Sequence, residues 1–133
     1  VALPAGHRLE GSAPIALASL KDEAFVASPR PLGQGFHDQL IRLCQAAGFT
    51  PKIVQQARQL HTLIALVASG FGIALIPISL AMERREDIVF RSIIVDAPQD
   101  LLHLGLLMAW NTSQDSPIRD RLIEEVRRAM PLD

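Results

Sequence analysis

A glycine-rich loop between a buried apolar run and a helical pattern is the strongest candidate for ligand chemistry in this sequence. The loop spans Ser28 to Phe36 and reads SPRPLGQGF. Backbone N–H groups at the start of a helix favour a bound anion such as a carboxylate. The candidate contacts are the backbones of Gly33 and Gly35, the polar groups of Ser28, Arg30 and Gln34, and the ring of Phe36 as an apolar wall. The alternative is an ordinary strand-to-helix connection that binds nothing.

A second pair of candidates follows at the next strand-to-helix connection. His61 and Thr62 begin the apolar helix that precedes Gly70. In a parallel α/β arrangement successive connections of this kind open at the same edge of the sheet, so both side chains are expected to face the same cleft. His61 can donate a hydrogen bond to an anion, although a histidine that only caps or packs at a helix start is the more common case.

Enzymatic chemistry finds little support in the sequence. The four histidines are dispersed, without ligand spacing or a nearby cysteine or aspartate cluster, so no metal or other cofactor is predicted. The serines lack the G-x-S-x-G setting of a hydrolase, and no nucleotide-binding glycine fingerprint or phosphate-binding lysine is present. Acidic pairs such as Asp22-Glu23 and Glu124-Glu125 are adjacent, so their side chains diverge. These features favour a binding module.

Composition agrees with one α/β domain that binds neither nucleic acid nor membrane by itself. The 133 residues are 49% hydrophobic, which is enough for a core. Thirteen basic and fourteen acidic residues give a net charge of -1, and no basic stripe indicates a nucleic-acid surface. Gly70, Gly72 and Pro77 interrupt the longest apolar stretch, which excludes a membrane span there. Cys44 lies on an apolar helix face and is predicted to be a buried, unreactive thiol.

Hydrophobic periodicity predicts alternating helices and strands. The predicted helical segments are Ala18–Asp22, Phe36–Ala47, the apolar helix before Gly70, a piece near Ser79–Arg84, and Ser116–Met130 with Ile118, Leu122, Val126 and Met130 on one face. The predicted strands are Ala24–Ala27, Ile53–Ala57, Ile73–Ile76, Ile88–Ile94 and Leu101–Trp110, with Asp96–Asp100 as a loop. Gly70 should end its helix in a left-handed conformation, and Gly72 should allow close approach of two backbones.

This order of elements carries a family resemblance. Val67-Ala-Ser-Gly-Phe-Gly-Ile-Ala-Leu-Ile-Pro77, which follows a leucine-rich helix, resembles the V-A-x-G-x-G-I-A-L-x-P pattern of LysR-type transcriptional regulators in their effector-binding domain. Leu3–Leu9, Ala47–Pro51 and the predicted strand Leu104–Trp110 with its closing helix fit the same family in the same order. The resemblance covers essentially the whole chain.

The resemblance implies an α/β fold of the type 2 periplasmic-binding-protein kind, with a mixed, mostly parallel sheet flanked by helices. It implies a second lobe over about residues 10–100, crossing strands near 1–4 and 102–110, and a helix at about 116–130 that belongs to the first lobe. The amino-terminal winged helix-turn-helix and most of the first lobe are then expected to be absent from this sequence.

The resemblance implies that the chain senses a small anionic or aromatic effector in an interlobe cleft. The regulator is then cytoplasmic and contacts DNA only through the absent domain. A dimer or tetramer is implied, with Phe36–Ala47 and Pro51–Ala57 at the dimer surface. A periplasmic-type solute-binding lobe and a small α/β enzyme remain the alternatives.

Overall fold

Helices and short strands alternate along the chain, as an α/β fold requires. The computed structural model describes residues 1–11, 14–30, 35–81, 85–104, 109–113 and 115–130. The strands are β1 (Ala2–Pro4), β2 (Ile15–Ala16), β3 (Ala24–Ala27), β4 (Lys52–Gln56), β5 (Ile88–Phe90) and β6 (Ile93–Ile94). The α-helices are α1 (Phe36–Ala46), α2 (Leu60–Ala68), α3 (Gln99–Leu102) and α4 (Pro117–Ala129), with 3₁₀ turns at Leu17–Leu20 and Ile78–Leu80.

The central strands are joined side by side through Ile73 and Ala74. β3 pairs with β4 in parallel, and β1 pairs with β5 in antiparallel orientation. Ile73 forms a parallel bridge to Phe25 of β3, while Ala74 forms an antiparallel bridge to Ala2 of β1. The spatial order is therefore β4, β3, residues 73–74, β1 and β5, and only β1 runs against the others. β2 and β6 form a separate parallel pair.

The two faces of this sheet pack against different helices. Phe25 and Ala27 of β3 belong to a buried cluster that includes Leu40, Leu43 and Cys44 of α1. Val26, between them in the strand, belongs to a second cluster with residues of α2. Alternate residues of a strand point to opposite faces, so α1 covers one face and α2 covers the other.

Two predicted glycine roles are confirmed. Gly70 follows α2 with a φ of +79°, the left-handed conformation expected at the end of a helix. A Cβ atom on Gly72 would lie 2.5 Å from the carbonyl oxygen of Ala24, closer than any side chain tolerates. Because Ile73 N donates to that same oxygen at 2.8 Å, Gly72 is what lets residues 73–74 pair with β3.

The predicted strand Leu101–Trp110 is wrong in the described part of the chain. Leu101 and Leu102 lie in α3, which also takes in the end of the predicted loop Asp96–Asp100. Residues 103–104 and 109–110 form no strand, and residues 105–108 lie outside the described residues. A run that is apolar on both alternations fits a buried helix as well as a strand, so its pattern did not decide between them. The first predicted crossing, near 1–4, coincides with β1.

Two other expectations also differ from the structure. The predicted strand Ile88–Ile94 is divided at Arg91, whose guanidinium donates to the carbonyl oxygens of Glu10 at 2.7 Å and Phe90 at 2.8 Å. On α4, Ile118 and Leu122 of the predicted apolar face are 83% and 59% exposed, whereas Ile123 is buried. Met130 of that face is also exposed, at 53%, and Val126 is half-buried, so the described residues leave most of the predicted face uncovered. Within the described segments, no helix has the length and apolar character that crossing a membrane demands.

Candidate functional site

The parallel strands bring their carboxyl ends to one edge of the sheet, which we call the carboxyl edge. Ser28 follows β3 there, Ala57 follows β4, and Leu75 follows residues 73–74. Ala57 N donates to Ala27 O at 3.1 Å, which holds the first two strand ends side by side. Ligands of open α/β sheets bind at this edge, so the predicted site residues are expected to lie there.

The polar residues of the first predicted group are partly engaged within the chain. The carbonyl oxygen of Ser28 lies 2.7 Å from Nδ1 of His37, in the first turn of α1. Arg30 Nε lies 3.2 Å from a carboxylate oxygen of Asp38, and the Arg30 side chain is 74% exposed. This exposed ion pair holds Arg30 beside the helix start but leaves most of its guanidinium open to solvent.

The glycines and the aromatic residue of the loop differ in how much the structure describes. Gly33 and Gln34 lie outside the described residues. Gly35 is exposed, precedes the first residue of α1, and has no atom within 4 Å of the position its Cβ would occupy. Phe36 is half-buried and lines a cavity of about 600 Å³. The backbone at Gly35 is therefore open to approach, and the Phe36 ring offers an apolar surface beside it.

The cavity lies between α1 and the segment that follows β6. Phe36, Gln39 and Leu40 line it from α1, and Leu101, Leu102 and Leu104 line it from the other side. Its volume falls in the range of small-molecule sites.

The remaining walls of the cavity are also mainly apolar. Val1, Leu75 and Ile76 contribute to it at the carboxyl edge, where Phe90 and Arg91 also reach it. Among the described side chains that line the cavity, only that of Arg91 is charged, and the other polar ones are those of Gln39 and Ser92. An apolar cavity with few polar groups suits a small organic ligand with one polar end.

Three polar residues of the cavity were not among the candidates from the sequence. Gln39 follows Phe36 by three positions on a helix, so helical periodicity places both on one face. The sequence could therefore have predicted Gln39 beside Phe36 in the site. Arg91 and Ser92 lie between β5 and β6, in a stretch that was predicted as continuous strand. Its sequence pattern carried no signal that these two residues line a cavity.

His61 and Thr62 lie in the first turn of α2 and are exposed. They stand near the carboxyl edge because α2 follows β4, but neither lines the cavity. Of the predicted site residues that the structure describes, Phe36 is the one placed in the cavity wall. No group of three metal-binding side chains occurs among the described residues.

A family model described as the LysR substrate binding domain matches residues 1–131. The chain belongs to this family. Its fold is thus of the type 2 periplasmic-binding-protein kind, and LysR-type proteins are transcriptional regulators that are not enzymes.

Individual relatives agree with the family assignment. The HTH-type transcriptional regulator XapR of Escherichia coli K12 is 32% identical over 92% of this chain and 40% of its own length. The crystal structure of CbnR, a LysR family transcriptional regulator, superposes with a TM-score of 0.74 at 25% identity, over 96% of this chain and 43% of that one. The effector-binding domain of BenM with its effector benzoate gives a TM-score of 0.59 at 25% identity, over 70% of this chain and 43% of that one. The chain thus spans about two fifths of these proteins.

Proposed function

We propose that this chain is mainly the second lobe of the effector-binding domain of a LysR-type transcriptional regulator, with α4 belonging to the first lobe. It binds a small anionic or aromatic effector in a cleft whose other wall belongs to a first lobe. Effector binding then changes how a winged helix-turn-helix elsewhere in the protein binds DNA. The net charge of -1 agrees with DNA contact being made outside this segment. Such a regulator works in the cytoplasm, where its DNA lies.

The observation that carries this proposal is the position of Phe36. This ring lies at the start of α1, at the carboxyl edge, and lines an apolar cavity of about 600 Å³. The open backbone at Gly35 precedes it, where N–H groups of a helix start favour an anion. An aromatic carboxylate has a ring that can pack on Phe36 and an anionic group that can bind the backbone at Gly35. BenM, a structural relative, has benzoate as its effector.

A homo-oligomer is part of the proposal. β4 lies at the edge of the sheet, and Val54 of this strand is 41% exposed. An edge strand leaves backbone hydrogen-bonding groups unpaired, and α1 lies next to β4 along the chain. We therefore propose α1 and β4 as a surface that packs on a first lobe of a second subunit.

Calorimetry with the intact regulator and its cognate effector tests the site. Gly35→Val places a side chain where the ligand must approach; the site has room for this side chain, so the fold should survive. Phe36→Ala removes apolar contact that contributes about 1–3 kcal/mol if the ligand fully buries the ring. Phe71→Ala is the control, because it removes the same ring, but Phe71 is 51% exposed and precedes residues 73–74, so it lies at the opposite edge of the sheet.

The expected result is weaker binding by both loop variants and unchanged binding by the Phe71 variant. Wild-type affinity in both loop variants excludes this loop from the site. His61 and Thr62, at the neighbouring helix start, are then the residues to substitute next.

A further inference from the structure

The segment of residues 99–104, here named the strap, is held against α1 by the side chain of Gln39. Nε2 of Gln39 donates to the carbonyl oxygen of Leu101 at 2.7 Å and to that of His103 at 3.0 Å. Leu101 is only 6% exposed and packs in the same core cluster as residues of α1. The strap is thus anchored by one buried apolar side chain and one amide group.

The Gln39 hydrogen bonds satisfy carbonyl groups that α3 cannot satisfy itself. α3 has four residues, and carbonyl groups at the end of a helix have no partner within it. A second polar contact joins Arg42 to Asp100 at 3.8 Å, but these side chains are 60% and 69% exposed. Exposed ion pairs stabilise little, so Gln39 is the stronger of these two polar links between the strap and α1.

The strap is also a wall of the cavity. Leu102 and Leu104 line it from the strap, and Phe36 and Gln39 line it from α1. Phe36 and Gln39 are three residues apart and share one helix face. A molecule that contacts Phe36 inside the cavity therefore lies against a wall that Gln39 keeps in place.

We propose that Gln39 is a positioning residue that couples occupancy of the cavity to the position of the strap. We call the form with the strap against α1 the closed form. In it the cavity has the volume of a small-molecule site, so the closed form is the one that binds a ligand. A ligand that binds only the closed form must slow the opening of the strap, and loss of Gln39 must weaken the ligand by the same linkage. The chain continues from the strap to α4, so a movement of the strap is passed along the backbone toward that helix. The proposal depends on the proposed function only in taking the cavity ligand to be the effector.

Hydrogen exchange of this chain without ligand tests the anchoring role. Gln39→Leu should speed amide exchange in residues 99–104 by at least about fivefold, because local opening no longer breaks two hydrogen bonds. Gln39→Glu should act similarly, since a carboxylate keeps the shape but cannot donate. Gln45→Leu, at an exposed position of the same helix, is the matched control and should leave the strap unchanged.

Exchange in α2 separates positioning from a general loss of stability. The Gln39 variants should alter the strap and leave α2 as in the wild type, whereas a residue that only stabilises the fold speeds exchange in both. Equal strap exchange in the Gln39 and Gln45 variants overturns the proposal. This result needs no effector, so it stands or fails independently of the proposed function.

The coupling itself is tested with 8-anilinonaphthalene-1-sulfonate, an apolar anion whose fluorescence reports binding. In the wild type it should protect both residues 36–43 and the strap from exchange, and Gln39→Leu should weaken its binding severalfold. Protection of residues 36–43 without the strap shows that occupancy and strap position are not coupled. Binding that protects neither segment, as at the exposed face of α4, shows that the cavity does not take such a ligand; both results overturn the coupling.

Discussion

Gly72→Ala should destabilise this fold more than any other glycine-to-alanine change at a described position. The new Cβ would lie 2.5 Å from the Ala24 carbonyl oxygen and 3.0 Å from its carbon, at a φ of +152°. The strained conformation costs about 1–3 kcal/mol for a residue with a side chain. Relief of the clash must lengthen the 2.8 Å hydrogen bond from Ile73 N to the same oxygen, which adds about 0.5–1.5 kcal/mol.

The expected loss in the free energy of unfolding is thus about 1.5–4.5 kcal/mol, a large share of the roughly 5–15 kcal/mol of a typical domain. Gly70→Ala is the matched control, because Gly70 also has a positive φ, +79°, but no atom lies within 4 Å of its Cβ position. The Gly70→Ala variant should lose only the free energy that a side chain costs in the left-handed backbone conformation, about 1–2 kcal/mol. Urea unfolding followed by circular dichroism measures both. A Gly72 variant within about 0.5 kcal/mol of the Gly70 variant, a margin typical of minor surface changes, would refute the close-approach argument.

Two further predictions concern the thiol and the dimer surface. Burial raises the pKa of the Cys44 thiol to about 12, so at pH 8 its thiolate fraction is about 1,000-fold below that of an ordinary thiol, and Ellman's reagent should react only after denaturant is added. A reaction rate of the folded protein equal to that of free cysteine would contradict this burial. Because the thiol of the unfolded state ionises at lower pH than that of the folded state, the free energy of unfolding should also fall as pH rises above about 9. In the two-lobe protein, Val54→Glu should lower the sedimentation coefficient toward the monomer, while Ile94→Glu, at a comparably exposed apolar position on β6, should not. Val54 is preferable to Ile53 because Ile53 packs against the core, and unchanged sedimentation of a folded Val54 variant rejects the β4 interface.

The central layers could be predicted because their local signals agree. β3 is found at its predicted bounds, Ala24–Ala27, and α1 differs from its prediction by one residue at the end. Each has an apolar pattern of the right period and a turn or proline signal at its end, and these signals need no knowledge of distant residues. Gly72 was likewise predictable, since a glycine between a helix stop and a buried strand favours a close backbone approach.

The cavity could not be predicted to the same extent, because it is assembled from segments far apart in sequence. Phe36 and Gln39 share a helix, but Leu101 and Arg91 join them only through the fold. The secondary structure after Pro98 was ambiguous, since an apolar run without alternation fits a helix or a strand. The hydrogen bond that holds its first turn comes from Gln39. A side chain some sixty positions away thus lies outside any local pattern.

Comparison of apolar pattern with burial adds information that neither gives alone. The pattern of a helix reflects every partner that it has in the working protein, whereas a structure shows only the partners present in it. For α2 the two agree, since Leu63, Ile64 and Val67 are buried. For α4 they disagree, because Ile118 and Leu122 are exposed although their spacing marks one face. Contiguous exposed apolar residues of this kind indicate an interaction surface. We therefore propose that a first lobe also covers the α4 face in the proposed two-lobed receptor.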